Sequence, residues 1–147
     1  MKTRHGSGFT MTELAIVLGL IAVLTVLMVP NFVKFRGDSA VKMAAQDLVG
    51  NLRYARQLSM SRGGGVQVAF DAPSSLYTIR SSTGSTLKQV SYAKGVQFLI
   101  SGVAPPITFA ANGAIPANGT IVVSGSQSSR TYTIDLQQGT GVARLRP

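Results

Sequence analysis

Glu13 is the residue of this sequence whose type and position most clearly indicate a specific interaction. It is an isolated carboxylate at the start of an apolar run, and residues 14–33 carry no charge before Lys34. A charged side chain costs about 2.5 to 3.5 kcal/mol at the centre of a bilayer on insertion scales, so it is expected to have a partner. The sequence therefore predicts that Glu13 pairs with a basic group.

Residue types that support catalysis or metal binding are scarce. The chain has no cysteine and one histidine, His5. Asp71 and Asp135, the carboxylates after residue 50, are far apart in the sequence. No nucleophile-elbow, Walker, dinucleotide or metal-binding pattern is present. We therefore expect no enzyme activity, no cofactor and no metal site.

Basic residues offer a second kind of chemistry, because 14 Lys and Arg against 5 Asp and Glu give a net charge of +9. Basic side chains on one stripe of a predicted helix and on a predicted last strand form a candidate phosphate-binding cluster. These residues are Lys42, Arg53 and Arg56 on the helix, Arg144 and Arg146 on the strand, and Arg130 in their expected vicinity. The alternative interpretation is a solvated face with contacts to neighbouring molecules.

Two periodicities predict the elements that position these residues. Apolar residues spaced by three and four from Val41 to Ala55 share one face of a helix, which we expect to run from the apolar segment to about Ser61. Gly63 to Gly65 should end it, since glycine accepts the left-handed backbone of a helix C-cap. From Val66 onward a period of two predicts strands. The predicted strands are 66–70, 76–80, 87–92, 96–100, 107–109, 120–123, 131–136 and 142–146.

Strands that follow a helix without alternation predict an α+β fold. We expect a long N-terminal helix whose first half is transmembrane and whose second half packs its apolar face on an antiparallel β-sheet domain. The uncharged run of about 20 residues is long enough to cross a hydrocarbon core of about 30 Å.

Three interpretations of the N-terminal segment are open from its composition. A secretory signal peptide would need a small-x-small cleavage site after the apolar run, and residues 29–33 offer none. A plain membrane anchor explains the run and its basic flank, in which Lys2 and Arg4 would stay in the cytoplasm. It does not explain Glu13, or the aromatic Phe9 directly after Gly8.

The third interpretation is a resemblance. The segment 8–14, GFTMTEL, resembles the processing site of type IV prepilins and type II secretion pseudopilins. The resemblance implies that a prepilin peptidase cuts after Gly8 and that Phe9 becomes an N-methylated N-terminus. It also implies that Glu13 neutralises the Phe9 amine of a neighbouring subunit during assembly. Pro30 falls where that family has a proline that loosens the helix.

Further segments resemble the GspH/FimT group of this family: LVGNLRYARQ at 48–57 followed by the glycines and VQVAFD at 66–71, ITFAANG at 107–113 and GVARLR at 141–146. The resemblance implies a minor pilin or pseudopilin, a structural subunit of a type II secretion or type IV pilus-like filament. Its implied partners are the prepilin peptidase, other pilin subunits and the bacterial inner membrane. The domain would lie outside the cytoplasm and later in a periplasmic or cell-surface filament.

The implied domain boundaries are a leader at 1–8, a transmembrane and assembly segment at 9–33, an amphipathic helix at 34–62 and a β-rich domain at 63–147.

An alternative function is a DNA-binding minor pilin that acts in DNA uptake, as the FimT branch implies. The C-terminal signature of that branch is Gly-Arg-x-Arg. Here Arg144 and Arg146 supply the two arginines, but Ala143 replaces the glycine.

A third class of function, a monomeric membrane-anchored binding protein, would need the bond after Gly8 to stay uncut.

Overall fold

The computed structural model describes residues 9–71 and 75–146, with residues 27–31 described by their backbone alone. Within these ranges one helix precedes eight strands. The elements are α1 (Met11–Arg62), β1 (Val66–Asp71), β2 (Leu76–Ser81), β3 (Thr86–Ser91), β4 (Val96–Ser101), β5 (Ile107–Phe109), β6 (Gly119–Gly125), β7 (Tyr132–Leu136) and β8 (Ala143–Arg146). The predicted α+β fold is confirmed, and every predicted strand is present to within two residues at its ends. The expected leader lies outside the described residues.

α1 is a single helix of 52 residues that ends where its glycines predict. Gly63 adopts a left-handed backbone with φ +80°, and the N–H of Gly64 donates to Ser59 O at 2.7 Å. This is the geometry of a glycine C-cap, which gives the last carbonyl groups of a helix a partner. The backbone of α1 continues through Pro30 without a break.

The strands form two antiparallel sheets of four strands each. Sheet A has the order β3-β2-β1-β5, and sheet B has the order β4-β6-β7-β8. The chain leaves sheet A after β3, places β4 in sheet B, returns with β5 and then completes sheet B. The sequence pattern identified the strands but left their order and their division into two sheets open, because both depend on partners far apart in the chain.

The core lies between the second half of α1 and both sheets. The predicted apolar face of the helix is confirmed, because Val41, Ala45, Leu48, Leu52 and Ala55 are all buried. Against it lie Val66, Val68, Ile79, Ile107 and Phe109 of sheet A, and Ile121, Val123, Ile134, Leu136 and Ala143 of sheet B. The alternating burial along β6 and β7 confirms the period of two.

No helix among the described residues combines the length and the mean hydropathy that a membrane span requires.

Candidate functional sites

The first candidate site is the N-terminal half of α1, whose described side chains from Met11 to Val26 are exposed and do not pack on the domain. Apolar side chains on all sides of the helix are exposed from Leu14 to Val26, the latter at 74%. Phe9, at the expected processing site, is also exposed, whereas Gly8 lies outside the described residues. A contiguous apolar surface of this extent is typical of a segment that contacts lipid or other proteins.

Glu13 takes part in the N-cap of this half-helix. Thr10 is the N-cap residue, and its Oγ1 accepts a hydrogen bond from the N–H of Glu13 at 3.2 Å. In return, Oε2 of Glu13 accepts from the N–H of Thr10 at 3.5 Å, which completes a capping box. A donor–acceptor distance of 3.5 Å is long for such a bond. The carboxylate of Glu13 is therefore oriented by its own helix but only weakly held.

The second candidate site is a cleft of about 510 Å³ on the face of sheet B that points away from α1. We call it the β8 cleft, and its polar lining includes Ser101, Thr120, Asp135, Gln137, Arg144 and Arg146. Asp135 lies opposite Arg144 in the β7–β8 register. Its Oδ2, however, is 2.7 Å from Nε of Arg146. The two arginines predicted to point the same way do share a surface, but one carboxylate offsets part of their charge.

Arg53 and Arg56 of α1 lie at a different surface from this pair, and Lys42 is exposed and lines neither cleft. Arg53 and Arg56 line a cleft of about 390 Å³ with Met60 and with Val142 and Ala143 at the start of β8. Nη2 of Arg53 donates to Ala143 O at 3.3 Å, which ties the helix to the edge of sheet B. The predicted cluster is therefore divided between two faces of the same sheet edge, since alternate residues of a strand point in opposite directions.

Arg130 does not line either cleft. Its Nε lies 3.6 Å from Oδ2 of Asp38, in the α1 turn that enters the domain. Oδ1 of the same carboxylate accepts from Ser128 Oγ at 2.6 Å and from the Ser129 N–H at 3.2 Å. The hydrogen bond from Ser128, followed by the backbone bond and the Arg130 charge, holds the pKa of Asp38 below its ordinary value despite the opposing effect of burial. This contact fastens the β6–β7 turn to the helix.

Aromatic rings on which DNA bases could stack would strengthen a nucleic-acid site, but Tyr132 and Tyr92 pack against other parts of the domain. Tyr132 is only 8% exposed. The ring of Tyr92 lies 4.6 Å from that of Phe98 and 6.4 Å from that of Tyr77, and burial raises its pKa. Neither the buried Tyr132 nor the half-buried Tyr92 therefore offers a fully exposed ring on which a base could stack.

A chain of polar side chains, buried at Asn51 and Tyr77 and exposed at Lys88, joins sheet A to the helix and was not predicted. Lys88 Nζ donates to Asn51 Oδ1 at 2.8 Å, and Asn51 Nδ2 donates to the Tyr77 hydroxyl at 2.7 Å. Burial raises the pKa of Tyr77 to about 12, although the hydrogen bond from Asn51 opposes the shift. Lys88 Nζ also lies 5.7 Å from the centroid of the exposed ring of Tyr54. The sequence offered one signal for this chain: Asn51 stands among the apolar residues that predict the buried face of α1.

Most of the domain matches a known protein family. A family model described as type II transport protein GspH matches residues 44–140. This chain belongs to the GspH family. The matched GspH region comprises residues 44–62 of α1, which are most of its buried half, and strands β1 to β7. Glu13, Arg144 and Arg146 lie outside it.

Solved structures share the fold of this GspH-family chain. The minor pseudopilin EpsH from the type 2 secretion system of Vibrio cholerae is 17% identical, with a TM-score of 0.59 over 72% of this chain and 95% of that one. The type IV minor pilin FimU of Pseudomonas aeruginosa is 21% identical, with a TM-score of 0.62 over 73% of this chain and 88% of that one. No curated protein sequence matches the chain significantly. The two structures come from different systems and superpose about equally well, so they do not favour secretion over pili.

Proposed function

We propose that this GspH-family chain is a minor pilin or pseudopilin, a structural subunit of a type II secretion or type IV pilus-like filament. The observation that carries the proposal is the division of α1 into two halves. Its second half is buried against both sheets, whereas the apolar side chains from Leu14 to Val26 are exposed. An apolar surface of this kind needs a partner. We assign lipid as the partner before assembly and the helices of neighbouring subunits afterwards.

The mechanism of assembly follows from the charges at the end of α1. Prepilin peptidase would cut after Gly8 and leave a methylated amine at Phe9. Glu13 would then pair with the Phe9 amine of a neighbour. An unpaired carboxylate and an unpaired amine are each costly in lipid, so their pairing favours association. The weak capping bond of Glu13 leaves its carboxylate free to exchange partners.

The localisation that goes with this mechanism is a bacterial inner-membrane anchor with the domain outside the cytoplasm. After assembly the domain would be part of a periplasmic or cell-surface filament. Pro30 would loosen α1 at the membrane exit, because proline cannot donate the hydrogen bond to the preceding turn.

Mass spectrometry of the chain from a host that carries the prepilin peptidase tests the proposal. We expect loss of residues 1–8 and the addition of one methyl group. Gly8→Val should block the cut, whereas Gly8→Ala should be tolerated better. An intact Met1 or Lys2 terminus in assembled filaments would contradict the mechanism.

We infer DNA binding as the second candidate function, on the strength of Arg144 and Arg146 in the β8 cleft. Arginines on one face of a strand can hold phosphates of successive nucleotides. The ion pair between Arg146 and Asp135 argues for modest affinity in the unmodified chain.

A mobility-shift titration of the full chain in nonionic detergent, at two salt concentrations, tests this candidate. Replacing both arginines with Ala should weaken binding to duplex DNA and reduce the salt slope by about two phosphate contacts. Asp135→Asn should strengthen binding, because it frees Arg146, and Arg80→Ala is the control for loss of charge elsewhere. The absence of binding at low salt would eliminate the DNA-uptake function and leave the structural one intact.

A further inference from the structure

A third cleft, of about 380 Å³, lies where α1 passes from its exposed half into the domain. It is formed by the helix, the β3–β4 connection and the β6–β7 turn. We call it the rim cleft and define it by Arg36, Gly37, Lys94, Gly95, Gly125 and Ser126. Neither the family match nor the assembly mechanism gives it a role.

The walls of the rim cleft are fixed by close backbone contacts. A Cβ on Gly37 would clash with the carbonyl oxygen of Gln127, and a Cβ on Gly125 would lie 2.6 Å from Cγ2 of Val41. The N–H of Ser126 donates to Gly95 O at 2.9 Å, which joins the two connections to each other. The walls of the cleft are therefore held in place by backbone packing and by a hydrogen bond between the two connections.

The charge of the rim cleft is positive. The side chains of Arg36 and Lys94 line it. The neighbouring carboxylate, Asp38, is already bound by Ser128, Ser129 and Arg130 on the turn that forms one wall. Two cations beside an acid that other groups already bind favour an anionic ligand with several acceptor oxygens, such as a phosphate ester.

The position of the cleft indicates where that phosphate comes from. The uncharged run ends at Val33, which lines the cleft itself. Since a helix rises 1.5 Å per residue, a run of about 20 residues that spans the hydrocarbon core brings the cleft to the level of the lipid headgroups. Phe32 and Phe35 are 61% and 68% exposed at this level, and the guanidinium carbon of Arg36 lies 5.9 Å from the centroid of the Phe32 ring. Aromatic and basic side chains together are typical of a membrane–water interface.

The basic residues at this end of the run also need a compensating interaction. Cationic residues next to a membrane span favour the cytoplasmic side, so Lys34 and Arg36 on the exported side oppose the expected orientation. Contact with headgroup phosphates offsets that disadvantage.

We propose that the rim cleft binds the phosphate of an anionic phospholipid in the leaflet that faces the domain. The proposal rests on the membrane anchoring argued above. Bound lipid would hold the domain directly on the bilayer surface before assembly, with Arg36 and Lys94 as its ligands. Extraction of the subunit into a filament would release the lipid and expose both cations.

The test uses the full chain in nanodiscs of phosphatidylcholine that contain a minor fraction of phosphatidylglycerol. After mild detergent extraction, native mass spectrometry measures which lipid stays bound. We expect enrichment of phosphatidylglycerol over its fraction in the disc, by about fivefold for each basic residue in contact. The double variant Arg36→Gln, Lys94→Gln should lose the enrichment. The double variant Arg62→Gln, Arg80→Gln removes the same charge from exposed positions elsewhere and should keep it.

The other outcomes separate this proposal from the proposed function. A chain that enters the discs without enriching phosphatidylglycerol overturns the rim cleft as a lipid site and leaves the anchor standing. A chain that fails to enter the discs contradicts the anchor and this proposal together. Equal loss of enrichment in both double variants would mean nonspecific attraction. Binding of inorganic phosphate to the chain, without enrichment of phosphatidylglycerol in the mixed discs, would identify a site for free anions instead.

Discussion

Glu13 combines a structural contact and an expected assembly contact in one carboxylate, and two substitutions separate them. Glu13→Gln keeps an oxygen that can accept from the Thr10 N–H but removes the charge. We expect it to insert and to be processed normally, because the segment becomes less polar. It should fail to join filaments, since the amine of the neighbour loses its counterion. Co-purification of a tagged chain with filaments measures the defect.

Thr10→Val is the matched control, because it removes the hydroxyl that caps the N–H of Glu13 and leaves the charge. Loss of a cap costs about 1 kcal/mol of helix stability. Incorporation should therefore stay near that of the unmodified chain. If Thr10→Val were as defective as Glu13→Gln, the capping box and not charge pairing would be the determinant of assembly.

The carboxylate of Asp38 should make the domain sensitive to acid. Its pKa is lowered chiefly by the hydrogen bond from Ser128, so the folded state favours the ionised form. The stabilisation is present above the unfolded-state pKa of about 4 and is lost as the pH falls below it toward the lower folded-state pKa. Asp38→Asn should flatten this part of the pH profile. Urea unfolding at a series of acidic pH values measures it, and an unchanged profile in the variant would contradict the assignment.

At the scale of elements, α1 contains glycines with opposite roles. At Gly37 a Cβ would meet the backbone of the β6–β7 turn, whereas at Gly50 no atom lies near the same position. Gly37→Ala should therefore destabilise the domain by about 1 to 3 kcal/mol through overpacking. Gly50→Ala should stabilise it by about 0.5 to 1 kcal/mol, because alanine is the better helix former. Chemical denaturation of both variants decides the point, and equal effects would show that the turn does not press on the helix.

At the scale of the whole molecule, the core begins at Val41, and the described side chains of α1 before the rim cleft are exposed and do not belong to it. A fragment that starts at Lys34 should fold and unfold cooperatively on heating. A fragment that starts at Gln46 lacks Val41, Ala44, Ala45 and the Asp38 contact, and should lose cooperative unfolding. Circular dichroism during thermal unfolding distinguishes the two. Failure of the longer fragment would mean that the exposed half of α1 supports the domain.

The sequence by itself determined the elements of this protein, because the signals for them are local. The spacing from Val41 to Ala55 predicted the buried face of α1, and the period of two from Val66 predicted the eight strands. Three glycines predicted the end of the helix, since a left-handed backbone is a property of single residues. The segment from Gly8 to Leu14 carried the family resemblance, which the match to GspH confirms independently over residues 44–140.

Only the tertiary structure decided which side chains meet. It separated Arg53 and Arg56 from Arg144 and Arg146, because the edge of sheet B lies between them. It paired Arg130 with Asp38 across 92 positions of the sequence and brought Lys94 to Arg36. Such contacts depend on the strand order β4-β6-β7-β8 and on where α1 crosses that sheet. These are global properties of the packed core, and no local pattern of residues encodes them.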